Sequence, residues 1–236
     1  MTMHAYWDGR NQIFYDGSDR QRIVDIRGPG VLAKVNLAFD ILDVTNDPVG
    51  WTSTVVEVGA GETELNGSPT SGFIGRITCA GNEDDGGQYQ APGQLFRCVS
   101  GDRWYAGLQF TSDEATQVDL LFGVCISDTT LLGSMTDGAY METLDGGTGI
   151  SVVAEKDGTE TQTDSLGTAV TDSMIWELFW DGTNLDYLID GAVVKSISSG
   201  NIPDDEALRV SIAFLNGEVA AHTLDIGFLR GYAWTP

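Results

Sequence analysis

The chain has 236 residues, with 35 acidic side chains against 12 Lys and Arg, a formal net charge of −23. A surface this acidic repels phosphate backbones and argues against a nucleic-acid partner. No apolar run reaches the roughly 18 residues that a membrane-spanning helix needs, and the length suits one large all-β domain or two small ones.

From the N-terminus, residues 1–10 lack a basic start followed by an apolar stretch, so no secretion signal is read there and synthesis in the cytoplasm is expected. Residues 1–34 hold five bases against four acids, net +1, while the rest holds seven bases against 31 acids, net −24. This segment reads either as strands whose charges pair locally or as an arm that docks on another molecule. Gly28-Pro29-Gly30 marks a boundary, and Pro29 lacks the N–H that a phosphate-cradling loop would offer. In 31–41 the odd positions are Val31, Ala33, Val35, Leu37, Phe39 and Ile41, while Lys34, Asn36 and Asp40 fall between them. This period of two predicts a half-buried strand.

Residues 62–72 read as a loop. It contains Asn66-Gly67-Ser68, which Pro69 follows, and it is discounted as a glycosylation acceptor. Alternation returns in Trp104, Ala106, Leu108 and Phe110, and in Val118, Leu120, Phe122, Val124 and Ile126. Asp-Gly and Asn-Gly pairs at 137–138, 145–146, 157–158, 181–182, 190–191 and 216–217 supply the positive φ of tight hairpins. Trp176, Leu178 and Trp180 share one face, Leu185, Tyr187 and Ile189 follow after a turn, and a second turn leads into Ala192-Val193-Val194. That is a meander of core residues and corners, with sugar stacking by one tryptophan as the alternative. A single helical turn is expected at Pro203–Ala207. Cys79, Cys98 and Cys125 have no close pair and read as reduced, buried thiols.

A catalytic set is hard to assemble. His4 and His222 are the two histidines, and His222 sits at strand spacing, so it reads as structural. No Gly-x-Ser-x-Gly elbow and no zinc-spaced Cys or His pair occurs. Sandwich-fold glucanases place their acids at alternate positions of one strand, in a run like Glu-x-Asp-x-x-Glu, and no such run exists here. Glu142 with Asp145, and Glu155 with Asp157, supply acids but lack the third member. The chain is therefore expected not to be an enzyme. No cofactor is expected either. Glu83-Asp84-Asp85 is the best oxygen cluster for Ca2+, yet it falls short of a calcium-binding loop.

The runs WELFWDG at 176–182 and LDYLIDG at 185–191 resemble the paired hairpins of concanavalin A-like, laminin-G-like jelly rolls. With WYAGLQF at 104–110, VDLLFGVCISDTTLL at 118–132, AEKDGTET at 154–161, NIPDDE at 201–206, and NGE at 216–218 followed by LDIGFLR at 224–230, the order resembles such domains in virion proteins of tailed bacteriophages. The resemblance spans roughly 70–232. It implies an all-β antiparallel sandwich over 51–236, preceded by N-terminal strands or an arm over 1–50. It also implies a head decoration, or cement, protein on the virion surface. Such a protein binds the shell of the major capsid protein and stabilises it by mass action. Tyr6, Trp7, Arg10, Arg20, Arg22 and Arg27 are the candidate partner-binding residues, since aromatic and Arg side chains anchor interfaces. A homo-oligomer, as a trimer, is expected. The alternatives are a carbohydrate-binding module on a virion fibre that engages host glycans and, third, a glycoside hydrolase.

Overall fold

The computed structural model describes residues 3–8, 11–16, 35–41, 51–56, 73, 75–147, 149–164, 166 and 173–234, with side chains of 51–56 and from 73 to 233. Its strands are β1 (Met3–Asp8), β2 (Asn11–Asp16), β3 (Val35–Ile41), β4 (Thr52–Val56), β5 (Gly75–Thr78), β6 (Gly86–Gln90), β7 (Arg103–Ser112) and β8 (Val118–Cys125). Then follow β9 (Gly138–Thr143), β10 (Ser151–Lys156), β11 (Thr159–Thr163), β12 (Met174–Trp180), β13 (Leu185–Ile189), β14 (Ala192–Ile197), β15 (Arg209–Asn216) and β16 (Thr223–Trp234). Among the described residues there is no helix. The expected turn at 203–207 is a loop instead. Asp204 and Asp205 pair with Lys156 at Nζ–O distances of 2.5 and 3.4 Å, and Leu208 bridges to Phe96.

Two antiparallel sheets form a sandwich. Sheet I runs β11-β10-β9-β8-β15-β6-β4, and sheet II runs β14-β13-β12-β7-β16-β3, with β5 also paired to β16. Strands β1 and β2 pair with each other as a separate two-stranded sheet. Strand β3, part of the 1–50 segment, sets Ile41 opposite Leu229, Phe39 opposite Gly231 and Leu37 opposite Ala233.

The alternating positions read from the sequence build the core. Trp104, Ala106, Leu108 and Phe110 of β7 are fully buried, as are Leu120, Phe122 and Val124 of β8. Trp176 and Leu178 of β12 and Leu185 and Tyr187 of β13 join them. Phe110 meets Trp176 edge to face, with centroids 5.0 Å apart, a geometry that adds about 1 kcal/mol beyond burial. The polar tips of these aromatics are satisfied: Trp104 Nε1 donates to the Arg97 carbonyl, Trp180 Nε1 to that of Val99, and Tyr187 Oη to that of Val153 at 2.6 Å. The last of these ties β13 of one sheet to β10 of the other. Asp190 (φ 51°) and Gly191 (φ 78°) form the left-handed corner between β13 and β14, as two-residue hairpin turns require. All three cysteines are buried free thiols.

Sheet I is unusual in being buried on both faces at its centre. In β8 the inward set alternates with Asp119, Leu121, Gly123 and Cys125, and of these Leu121 and Cys125 are fully buried as well. They lie in a second apolar cluster with Leu131, Met135, Tyr140, Val153 and Ala213. Gly123 pairs with Tyr140 across the ladder. A Cβ at Gly123 would run into the Ala139 carbonyl oxygen and lie 2.5 Å from Tyr140 Cα. Gly123→Ala is therefore expected to destabilise the fold by about 3 kcal/mol, read as a lowered urea midpoint. Gly81→Ala, whose Cβ meets nothing nearer than 3.9 Å, should leave the midpoint unchanged.

Candidate functional site

The chemistry collects on the outer face of sheet I. Period two fixes which residues reach it, and the register fixes their neighbours. Across the sheet, Ala213, Leu121, Glu142 and Ser151 stand opposite one another in turn. The next row is Ser211, Gly123, Tyr140, Val153 and Gln162. The row beyond holds Arg209, Cys125, Gly138, Glu155 and Glu160. Asp119 stands opposite Leu215, on the other side of Leu121.

A strap, residues 126–137, roofs most of this face. Its base is closed by the Ile126 N–H donating to the Asp137 carbonyl at 2.9 Å. Two glutamines of β6 hold it from below. Gln88 donates Nε2 to the Asp128 carbonyl at 2.7 Å and accepts the Leu131 N–H at 3.1 Å. Gln90 donates to the Ile126 carbonyl at 2.8 Å and accepts the Asp128 N–H at 3.0 Å. At its far end the strap is tied to the β10–β11 turn: the Asp157 N–H donates to Asp137 Oδ1, and the Gly158 N–H donates to the Thr136 carbonyl. Leu131 and Met135 plug down onto Leu121, Tyr140 and Val153.

What the strap leaves open is a rim lined with carboxylates. Asp119, Glu142 and Ser151 are half-buried there, and Glu160, Gln162 and Asp164 are exposed. Asp164 Oδ1 accepts from Ser151 Oγ at 2.9 Å and from Gln162 Nε2 at 2.6 Å. Glu155 is buried and accepts Tyr140 Oη at 3.2 Å. Burial, and after it the negative charges of Glu160, Asp119, Asp164 and Glu155, pushes the Glu142 carboxyl up to about 7. Burial likewise pushes Asp119 up to about 6, against the lowering effect of the Asp145 N–H that it accepts at 2.6 Å. Leu121 faces Glu142 directly, so Asp119 is the diagonal neighbour of Glu142, a residue-to-residue spacing of roughly 7–8 Å that long side chains can bridge. Glycosidase carboxyl pairs span roughly 5–9.5 Å. Two carboxyls whose proton affinity is raised by burial, together on one open rim, make this the candidate functional site.

The sequence named some of these acids and missed others. Glu142, Asp145 and Glu155 were visible beside turns, but their convergence with Asp119, Glu160 and Asp164 depends on strand register. The signal for Asp119 is that it breaks an otherwise apolar strand. Trp176 and Trp180 are core residues, which removes them as a sugar-stacking surface. His222 is structural, its ring held by Glu218 at 3.1 Å and Asp113 at 3.5 Å. Asp85 of the Glu83-Asp84-Asp85 turn is buried and accepts Asn82 Nδ2 at 2.6 Å. Among the described residues, no group of three or more His, Cys, Asp or Glu is placed to hold a metal ion. Tyr6 and Trp7 lie on β1, opposite Ile13 and Gln12, with side chains outside the described set. Arg10, Arg20, Arg22 and Arg27 lie outside the described residues.

No protein-family model matches the chain, and no curated protein matches it. Solved structures do. The carbohydrate recognition domain of Emp47p superposes with a TM-score of 0.58 at 14% identity, covering 86% of this chain and 98% of that one. The β-glucanase of Bacillus licheniformis gives 0.57 at 14%, covering 84% and 98%. An endo-1,3-β-glucanase from Streptomyces sioyaensis gives 0.57 at 12%, covering 86% and 96%. The fold is that of the concanavalin A-like jelly rolls. This corrects the expectation that the chain is not an enzyme, because glycoside hydrolases share the architecture as readily as carbohydrate-recognition domains do. The missing one-strand acid run does not decide the matter, since acids from neighbouring strands meet on the rim.

A carboxyl that holds its proton more tightly when folded makes stability fall as pH rises from its unfolded value, near 4.5, through its folded value. For Glu142 that window ends at about 7. The melting temperature is therefore expected to rise on acidification from pH 8 to pH 5. Glu142→Gln should flatten this dependence and raise stability at pH 8 by about 1 kcal/mol. Thermal melts across that pH range check both.

Proposed function

We propose that this chain is a carbohydrate-binding protein whose glycan face is the open rim of sheet I, centred on Glu142 and Asp119. The observation that carries the reading is the set of polar groups left open beside a strap that seals the rest of the face. The carboxylates accept hydrogen bonds from sugar hydroxyls, Gln162 has a second amide N–H to donate to them, and Ser151 Oγ, whose proton goes to Asp164, can accept. The fold shared with carbohydrate-recognition domains and β-glucanases supports the same reading.

A second reading is glycoside hydrolysis at the same rim, favoured by the proton affinity of Glu142. A carboxyl that keeps its proton near neutral pH can protonate a leaving glycosidic oxygen, while an ionised partner acts on the opposite side of the sugar ring. Asp119 is the partner that the geometry offers. The virion setting, the major capsid protein as partner and a trimeric assembly rest on the sequence resemblance. In that setting the rim would serve adsorption to host glycans.

The test uses β-1,3-linked gluco-oligosaccharides and mixed-linkage β-glucan as probes, in calorimetry and in a reducing-sugar assay. Binding is expected in the wild type, weakened about tenfold or more in Asp119→Asn, consistent with a lost charged hydrogen bond. If the rim hydrolyses its ligand, Glu142→Gln should retain binding and lose turnover by about a hundredfold or more. Binding that is unchanged in the double variant Asp119→Asn/Glu142→Gln would place the glycan elsewhere.

A further inference from the structure

The strap is built as a fixed element. Its two ends meet in the Ile126–Asp137 hydrogen bond, its backbone is held from β6 by four amide contacts, and its far end is tied to the β10–β11 turn. Beneath it the sheet is covered: Leu121 and Val153 are fully buried, and Ala213 and Tyr140 are nearly so. These are the positions over which an unroofed sheet face would carry a long ligand. What remains accessible runs across β8, β9, β10 and β11, from Asp119 through Glu142 and Ser151 to Asp164, Gln162 and Glu160. Four strands span roughly 15 Å, about the length of a trisaccharide.

On the reading of the rim as a glycan face, we propose that the strap 126–137 is the specificity element that limits this protein to a short glycan or the end of a longer one. The glycan abuts the strap at Tyr140 and does not pass beneath it. Leu131 and Met135 occupy the space that further sugar units would need. Gln88 and Gln90 are the positioning residues, because each satisfies both a carbonyl and an N–H of the strap backbone and so holds the plug in register. An exposed loop held only by its own turn would yield to a ligand. This one would first have to give up buried amide contacts and apolar burial together.

The closing contact between Ile126 and Asp137 also makes the idea testable, because a two-residue turn can join these ends once 128–135 are removed. That strap-shortened variant also carries Leu121→Thr and Val153→Thr, so that the uncovered face stays soluble. Calorimetry then compares β-1,3-linked gluco-oligosaccharides from the disaccharide to the hexasaccharide. In the unmodified protein, affinity should stop rising at about the trisaccharide. In the variant it should continue to rise, by about tenfold between trisaccharide and hexasaccharide. The same plateau in both proteins, or a continuing rise in the unmodified one, overturns the role of the strap while leaving the rim as the binding face. Absence of binding by both proteins overturns the rim reading and this inference with it. Should the variant not fold, hydrogen exchange on the unmodified protein decides. Hexasaccharide protection confined to the segments around Asp119, Glu142 and Ser151 supports the proposal, and protection of strap amides from Thr130 to Ser134 overturns it.

Discussion

The structure depends on a strand that is apolar on both of its faces. Strand β8 reads Val-Asp-Leu-Leu-Phe-Gly-Val-Cys, and packing against sheet II covers only half of it. Leu121 and Cys125 would otherwise face water, so the chain that leaves β8 doubles back over the sheet and buries them under Leu131 and Met135. Fully burying such side chains is worth about 1.5–3 kcal/mol each. The backbone of that crossing has no ladder to join, and an unpaired buried amide costs as much as the burial gains. The side-chain amides of Gln88 and Gln90 stand in for the missing ladder. Core packing, strap and the shape of the open rim are thus one solution to one constraint.

The same solution concentrates charge. Once the strap seals the centre of the face, the acids of β8 to β11 are left at its margin and edge, where water reaches some of them and not others. Glu155 withdraws under Tyr140, Glu160 stays exposed, and Glu142 lies between these extremes with four carboxylates acting on it. Folding against that repulsion costs stability, and nearby bases do little to offset it. Lys156, at the end of β10, is drawn to Asp204 and Asp205 instead. Groups perturbed in this way cluster at functional sites, which is why the rim is the candidate site.

How much of this was legible differs by element. Strands β7, β8, β12 and β13 could be read residue by residue, because period two survives wherever one face meets the core. The corners at Asp157-Gly158 and Asp190-Gly191 followed from their residue types, and both pairs have positive φ. The turn expected at 203–207 failed because its signal, Pro before three acids, is local, while the segment runs into Leu208, which is fully buried and bridges to Phe96 far back in the chain. The rim was illegible for a related reason. Asp119 and Glu142 are 23 positions apart, and nothing local says that Leu121 will face Glu142. Gln88 and Gln90 in turn look like the polar positions of an ordinary half-exposed strand. Their partners lie 36 to 43 residues downstream, and only the fold shows that they face a second layer.

The acid pair also shows why a one-strand motif is a weak filter for function. A run such as Glu-x-Asp-x-x-Glu sets its carboxyls along one strand, where spacing is fixed by the pleat and the sequence displays it. Two adjacent antiparallel strands reach a comparable separation through a diagonal pair, and the residues then sit in different hairpins with no shared signature. The physical requirement concerns separation, burial and the proton affinities of two groups. Backbone continuity between them is no part of it. In this chain register makes Asp119 and Glu142 diagonal neighbours, and burial, followed by the charges of nearby carboxylates, raises the proton affinity of both, with a backbone N–H working the other way at Asp119. Both carboxyls are therefore biased toward their protonated forms by the fold itself, and that bias comes from a strand register that no local run of residues displays.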